Sequence, residues 1–209
     1  MLSLFRSRLD ALLLCGFRPF FLFSSAIAVV AMSAWWLFLS AGMPLPNVAG
    51  GPLLWHAHEM VFGFGLAALA GFLLTALPEF TGTAAVGRTP VLSLAVLWLG
   101  ARIGFLLGGT TGVWLAALCE VALVAGLIVV ATPRLFADPE RRHASFLWGL
   151  VAMLVAVIGF HAETITGQFA LRWLHVAVGV MMVFIVLAMS RISMRIVNDA
   201  LAARGDPDI

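Results

Sequence analysis

Six apolar runs recur along the chain, near residues 19–41, 55–77, 90–108, 112–131, 145–165 and 171–190. Each is close to the roughly 20 residues that a helix needs to cross a hydrocarbon core. Lipid offers no water to pair with an exposed peptide group, so a crossing segment must be a helix or a strand of a closed barrel. Barrel strands are about 10 residues long and alternate polar with apolar side chains; these runs do neither. The expected fold class is therefore all-α, a polytopic membrane bundle of six transmembrane helices forming a single transmembrane domain over residues 1–209. With 63% hydrophobic and 11% charged residues and a mean hydropathy of +1.09, no soluble domain is expected. The longest interhelical loop, around Asp138 to His143, is too short to fold alone.

Orientation rests on arginine alone, because the chain has no lysine. Arg6, Arg8 and Arg18 precede the first helix, Arg88 lies in the second loop, Arg134, Arg141 and Arg142 flank the fourth, and Arg191, Arg195 and Arg204 follow the last helix. The first loop, Gly42 to Asn47, and the tight turn Gly108 to Gly112 carry no charge, and the fifth loop has only Arg172. Positive residues stay on the cytoplasmic side, so both termini are expected there, in a multi-pass protein of the bacterial cytoplasmic (inner) membrane. The net charge of +2 gives no reason to expect nucleic acid as a partner. The first apolar run is longer than the core of a signal peptide, and Leu14 before Cys15 is too large for a lipoprotein cleavage site, so an uncleaved helix is expected. Cys15 and Cys119 fall at different depths, too far apart to bridge, and read as apolar filling.

The polar residues then sort by depth. His56, His58 and Glu59 fall near the outer start of the second helix, His161 and Glu163 near the outer end of the fifth, and His175 about one turn into the sixth. At about 1.5 Å of rise per residue, three helices offer imidazoles roughly 5–8 Å below one boundary. Unrelated interfacial histidines would be the plain alternative. Ionisable groups inside membrane helices are costly and usually functional, which favours a shared ligand site. On an ideal helical wheel His56 and Glu59 share a face and His58 points about 200° away from His56, so both imidazoles reach one centre only through a distorted first turn. The His56 face continues through Gly63, Ala67 and Gly71, small residues that let another helix or a flat macrocycle approach. Gly179 leaves similar room beside His175. Arg102 and Glu120 sit deeper, on helices joined by a tight turn, and are expected to pair, with haem propionate binding by Arg102 or proton relay by Glu120 as sharper alternatives. His143, among the loop arginines, reads as a solvated interfacial side chain.

Imidazole suits iron, copper and zinc, whereas the absence of paired cysteines excludes iron–sulfur clusters and thiolate zinc sites. His56-Ala57-His58-Glu59 lacks the spacing of a zinc hydrolase. Haem b held by one or two histidines leads, because the surroundings are apolar and aromatic. Copper follows, with Met181, Met182 and Met189 as nearby soft donors. His56, His58 and His175 are the metal-ligand candidates; Glu59, Arg102 and His161 complete the cofactor-binding set.

These residues also carry a resemblance. The stretch Trp55-His56-Ala57-His58-Glu59-Met60-Val61-Phe62-Gly63-Phe64, continuing into Ala70 to Gly82, resembles the signature second helix and loop of the NnrS family. Gly16-Phe17-Arg18-Pro19-Phe20-Phe21-Leu22 is similar to the family's entry into its first helix, and a weaker likeness covers Gly87-Arg88 and Trp98 to Arg102. The chain looks like the N-terminal half of the family's usual length. The resemblance implies a polytopic membrane protein containing haem and copper, associated with nitric oxide metabolism, with His56, His58 and Glu59 as motif-matched site residues.

Two classes of function follow. One is a haem or haem/copper protein of nitric oxide or respiratory metabolism with a histidine-ligated site near the outer face, binding gas at an open iron position or passing electrons through a closed one. The other is a small accessory or assembly subunit of a respiratory complex of the haem-copper oxidase or nitric oxide reductase type, its apolar faces covered by other membrane subunits or by a homo-oligomer. A transporter is disfavoured, since no repeated halves with interrupted helices are visible.

Overall fold

The structure is a computed structural model that describes residues 12–138 and 141–205. Arg6, Arg8, Glu140 and the tail from Asp206 lie outside the described residues. Among the described residues, six helices are long and apolar enough to span a membrane: α1 Phe17–Ala41, α2 Gly51–Thr81, α3 Arg88–Leu107, α4 Gly109–Ala137, α5 Ala144–Ile165 and α6 Leu171–Ala202. The expected all-α bundle is thus observed, and every helix begins or ends within a few residues of its apolar run except at the arginine-rich ends of α4 and α6. There the helices continue into polar sequence, since the helical ladder still satisfies each peptide group after the bilayer ends. The polar extension of α6 touches the α4–α5 loop and the end of α2, where Arg191 Nη2–H donates to the Arg142 carbonyl (2.6 Å) and Arg195 pairs with Glu79 at 3.3 Å.

Glycine and proline set the boundaries. α1 stops where Gly42 adopts φ 67° and its N–H returns to the Leu37 and Phe38 carbonyls. α2 starts at Gly51, after Gly50; both glycines have positive φ, and Pro52 lies in the first turn. The turn between α3 and α4 is tighter than the sequence implied: α4 already begins at Gly109, because Gly108 (φ 63°) and Gly109 (φ 61°) reverse the chain between them. The Gly109 N–H donates to the Asn47 carbonyl (2.8 Å), tying this turn to the first loop at the arginine-poor end of the bundle.

Sequence neighbours pack as antiparallel pairs, α1 on α2, α3 on α4, α4 on α5 and α5 on α6, while α2 also crosses α4. The α3–α4 crossing is close because Gly104 and Gly112 face each other; a Cβ on Gly112 would sit 2.4 Å from the Gly104 carbonyl oxygen. Gly71 likewise admits Phe20 and Phe21 of α1, so the small-residue stripe on α2 serves helix packing. Between 39% and 56% of each apolar window of α2 to α5 is buried, against 11% for α1 and 17% for α6. The core therefore lies among α2 to α5, and α1 and α6 form its lipid-facing fringe.

One expectation about this end of the fold is corrected. His143 is not solvated: only 9% exposed, it stacks on Phe80 at 5.7 Å. Burial pushes its imidazole below the ordinary histidine pKa, and the Arg191 charge adds to the effect.

Candidate functional site

The site begins with a departure from α-helical winding. Residues Gly51–His58 of α2 are α-helical, but Glu59–Gly65 form a π-helix before α-helix resumes at Leu66. Such segments are rare and cluster at functional sites. Two glycines, Gly63 and Gly65, lie within it. Neighbouring helices brace its carbonyls: Trp98 Nε1–H of α3 donates to the Gly63 oxygen (3.0 Å) and the Ser24 hydroxyl of α1 donates to that of Phe64 (3.2 Å).

This rewinding corrects the helical-wheel expectation for α2. His58 and Glu59, not His56 and Glu59, meet: His58 Nδ1 lies 3.1 Å from Glu59 Oε1. The other ring nitrogen of His58, Nε2, lies 3.3 Å from Glu120 Oε2 on α4, and the same oxygen lies 2.8 Å from His161 Nε2 on α5. From α3, Arg102 reaches both carboxylates, donating through Nη1 to Glu59 Oε1 (2.7 Å) and through Nη2 to Glu120 Oε1. The expected Arg102–Glu120 pair is present, with Glu59 as a second acceptor. Four helices thus contribute to one polar cluster in which His58 and Glu120 are 0%, His161 2%, Glu59 3% and Arg102 8% exposed.

Aromatic rings enclose the cluster. Phe105 stacks on His58 with ring centres 3.5 Å apart, Phe160 lies 4.9 Å away at a tilt, and Phe62 meets the ring edge-on at 5.4 Å. Gly63 is needed beside it, since a Cβ there would fall 3.0 Å from Arg102 Nη1 and 3.1 Å from Glu59 Oε2.

Charge and proton counting show what the cluster lacks. One guanidinium and two carboxylates, with neutral imidazoles, leave a net charge of −1 in a water-poor interior. Both ring nitrogens of His58 face carboxylate oxygens, yet a neutral imidazole has a single N–H. One more cation, a proton or a metal ion, completes the arrangement. The three ligand atoms offered by His58, Glu120 and His161 lie within 4.8 Å of one another, as one metal ion requires. With a metal ion held there, Glu59 would accept from His58 Nδ1–H and leave Nε2 as the ligand atom, the carboxylate–histidine–metal relation that fixes a ligand's tautomer.

Of the residues singled out from sequence, the fold brings together His58, Glu59, Arg102 and His161, and leaves His56 and His175 outside. His56 turns to α1, where it stacks on Trp35 at 4.5 Å. His175 is exposed on α6, and a Cβ on Gly179 would meet nothing within 4 Å. Glu163 pairs with Arg172 near the bundle end. The methionines of α6 also stand apart: Met181 packs against Gly65 and, with Met189, lines an apolar groove between α2 and α6 that Phe21 of α1 also borders, while Met182 is exposed. From sequence Glu120 is expected as a partner of Arg102 or a proton relay and not as a neighbour of His58 and His161, although a carboxylate in the middle of an apolar run was itself the signal. A porphyrin does not fit the cluster, because the His58 ring is covered by Phe105 and Phe160 and the Glu120 carboxylate bridges the two imidazoles.

A bundle of six apolar helices around a buried His–Glu–Arg centre defines a polytopic membrane protein with a candidate metal site. The family model described as NnrS protein matches residues 11–208, and the chain belongs to the NnrS family. No curated protein and no solved structure matches it.

Proposed function

We propose that this chain is a membrane metalloprotein of nitric oxide-linked metabolism whose His58, Glu120 and His161 hold a single copper or iron ion. The observation that carries the reading is the convergence of three ligand atoms within 4.8 Å in a cluster that is one positive charge short. Family membership supports the link to nitric oxide. Two imidazoles and one carboxylate suit a first-row transition metal, whereas the lack of thiolates disfavours soft-metal storage. When bound, such an ion supplies redox chemistry or a position for a small ligand. The chain's own residues do the rest. Glu59 holds His58 by its Nδ1–H, Arg102 bonds to both Glu59 and Glu120 and offsets one of their two charges, and the phenylalanine cage excludes bulk water, which strengthens every charge interaction inside it.

Haem b, if carried, is proposed for His175 rather than for the cluster. Its imidazole is exposed and the space over Gly179 is open, so a macrocycle there would be covered by a second copy or by another respiratory subunit. With the arginine-rich end in the cytoplasm of a bacterial inner membrane, both sites lie toward the outer leaflet.

Metal analysis of the purified protein tests the reading. One copper or iron per chain is expected in the wild type and in His56→Ala, with loss in His58→Ala, His161→Ala and Glu120→Gln. Retention of metal by Glu120→Gln and His161→Ala together would overturn the assignment. A pyridine haemochrome signal that survives His175→Ala would remove the haem proposal.

A further inference from the structure

Directly above the cluster, at the arginine-poor end, lies a cavity of about 290 Å³. Three separate segments close around it: Asn47 and Val48 of the first loop, Thr110 and Val113 at the start of α4, and Thr164 and Ile165 at the end of α5. Its floor is formed by Val113 and Thr164, 5% and 4% exposed. Helical spacing aligns this floor with the cluster. Thr164 is three residues from His161 on the same face of α5, about 4.5 Å along the axis. Val113 is seven residues from Glu120 on the same face of α4, with the small Ala116 and Ala117 between them.

Two buried atoms outside the cavity wall also call for ordered water. His161 Nδ1 and Trp55 Nε1 are buried and have no hydrogen-bond partner, and Trp55 is one turn from His58 toward the same end of the bundle. Buried polar atoms are nearly always paired with protein or with ordered water. A cavity of this volume, with hydroxyl, amide and backbone groups in its walls, has room for several waters. None of its lining residues is charged. An ion entering it would lose hydration without gaining a counter-charge, whereas an uncharged molecule of water size loses little.

We infer that this cavity is a water-filled vestibule through which small uncharged solutes, diatomic gases included, reach the His58–Glu120–His161 centre past Val113, Ala117 and Thr164. The inference rests on the proposed metal site for its endpoint and on the cavity alone for its existence.

Two measurements keep those parts separate. In a Cys15→Ser, Cys119→Ala background, membranes carrying Val113→Cys are treated at the arginine-poor face with neutral methyl methanethiosulfonate or with its anionic sulfonatoethyl analogue. The neutral reagent is expected to react at least about tenfold faster than the anionic one, and a Leu118→Cys thiol, facing lipid at 66% exposure, is expected to be slow with both. An unreactive Val113→Cys thiol, or equal rates with the two reagents, would overturn the vestibule whether or not metal is present. In metal-loaded protein, Ala117→Leu is expected to slow nitric oxide binding by about tenfold or more in stopped-flow spectra at unchanged metal content. Val113→Trp serves as a second blocking variant should Ala117→Leu misfold. Wild-type binding rates in a loaded, folded blocking variant would overturn the route, whereas absence of metal in the wild type would instead defeat the proposed function.

Discussion

Removing the guanidinium of Arg102 tests the charge count on which the site depends. Arg102 donates to Glu59 and to Glu120, and these are the two carboxylates of the cluster. With neutral imidazoles, Arg102→Gln takes the cluster from −1 to −2 while keeping a side chain of comparable polarity. Breaking a buried ion pair by removing one partner costs about 3–5 kcal/mol, because the remaining charge stays desolvated. For a chain of this length each kcal/mol moves the melting midpoint by about 2–4 °C, so a fall of roughly 6–20 °C is expected in detergent. The double variant Arg102→Gln with Glu59→Gln returns the count to −1 and is expected to regain most of that loss. Arg102→Lys, a point charge unable to fork between two acceptors, is expected to fall between them. The assay is a thermal scan of the purified protein at fixed scan rate. If Arg102→Gln melts with the wild type, or if Glu59→Gln deepens the loss, the cluster is not held by opposed charges and the counting argument fails.

Gly63→Ala would place a methyl 3.0 Å from Arg102 Nη1 and 3.1 Å from Glu59 Oε2, so both must shift; a melting loss of about 1–3 kcal/mol and weaker metal retention are expected, and metal titration matching the wild type would contradict the geometry. At His143, burial and Arg191 favour the neutral imidazole in the folded state. A depressed histidine pKa means that the unfolded chain binds more protons below the ordinary value of 6.5, so the stability contributed here is full above that pH and falls as pH drops toward the folded pKa. Hydrogen-exchange protection at residues 141–147, taken relative to the intrinsic rate at each pH, is expected to fall between pH 7 and pH 5, and His143→Gln to flatten that dependence; an unchanged protection profile in His143→Gln would exclude this histidine as its source.

Much of the fold could be read before any coordinates, because lipid leaves a backbone few choices. Six charge-poor runs had to become six helices, and Gly42 and Gly108 stop α1 and α3 as expected of residues that tolerate positive φ. The extension of α6 to Ala202 was not legible from hydropathy, since Arg191 and Arg195 look like the end of a membrane span and their partners, Arg142 and Glu79, are distant in sequence. His143 was misread for a related reason. Its burial comes from Phe80, which only the folded packing of α2 against the start of α5 brings near.

The site was legible in its ingredients and not in its geometry. Sequence depth placed His58, Arg102 and His161 in neighbouring layers, but depth says nothing about azimuth, and a regular helix predicts that His56 shares the Glu59 face. What decides azimuth is the π-helical stretch Glu59–Gly65, a feature without a local sequence rule beyond its two glycines. It persists because its costs are met from outside α2: Trp98 and Ser24 satisfy its carbonyls, and the same Trp98 ring lies 5.8 Å from the Arg102 guanidinium. A single α3 side chain therefore touches both the irregular backbone that aims His58 and Glu59 and the cation that balances them. That residue joins the winding of α2 to the cation of the centre. Trp98→Phe, which keeps an aromatic ring but removes the N–H, is expected to loosen the π segment and shift the spectrum of the proposed metal centre. An unaltered spectrum in that variant would separate the two.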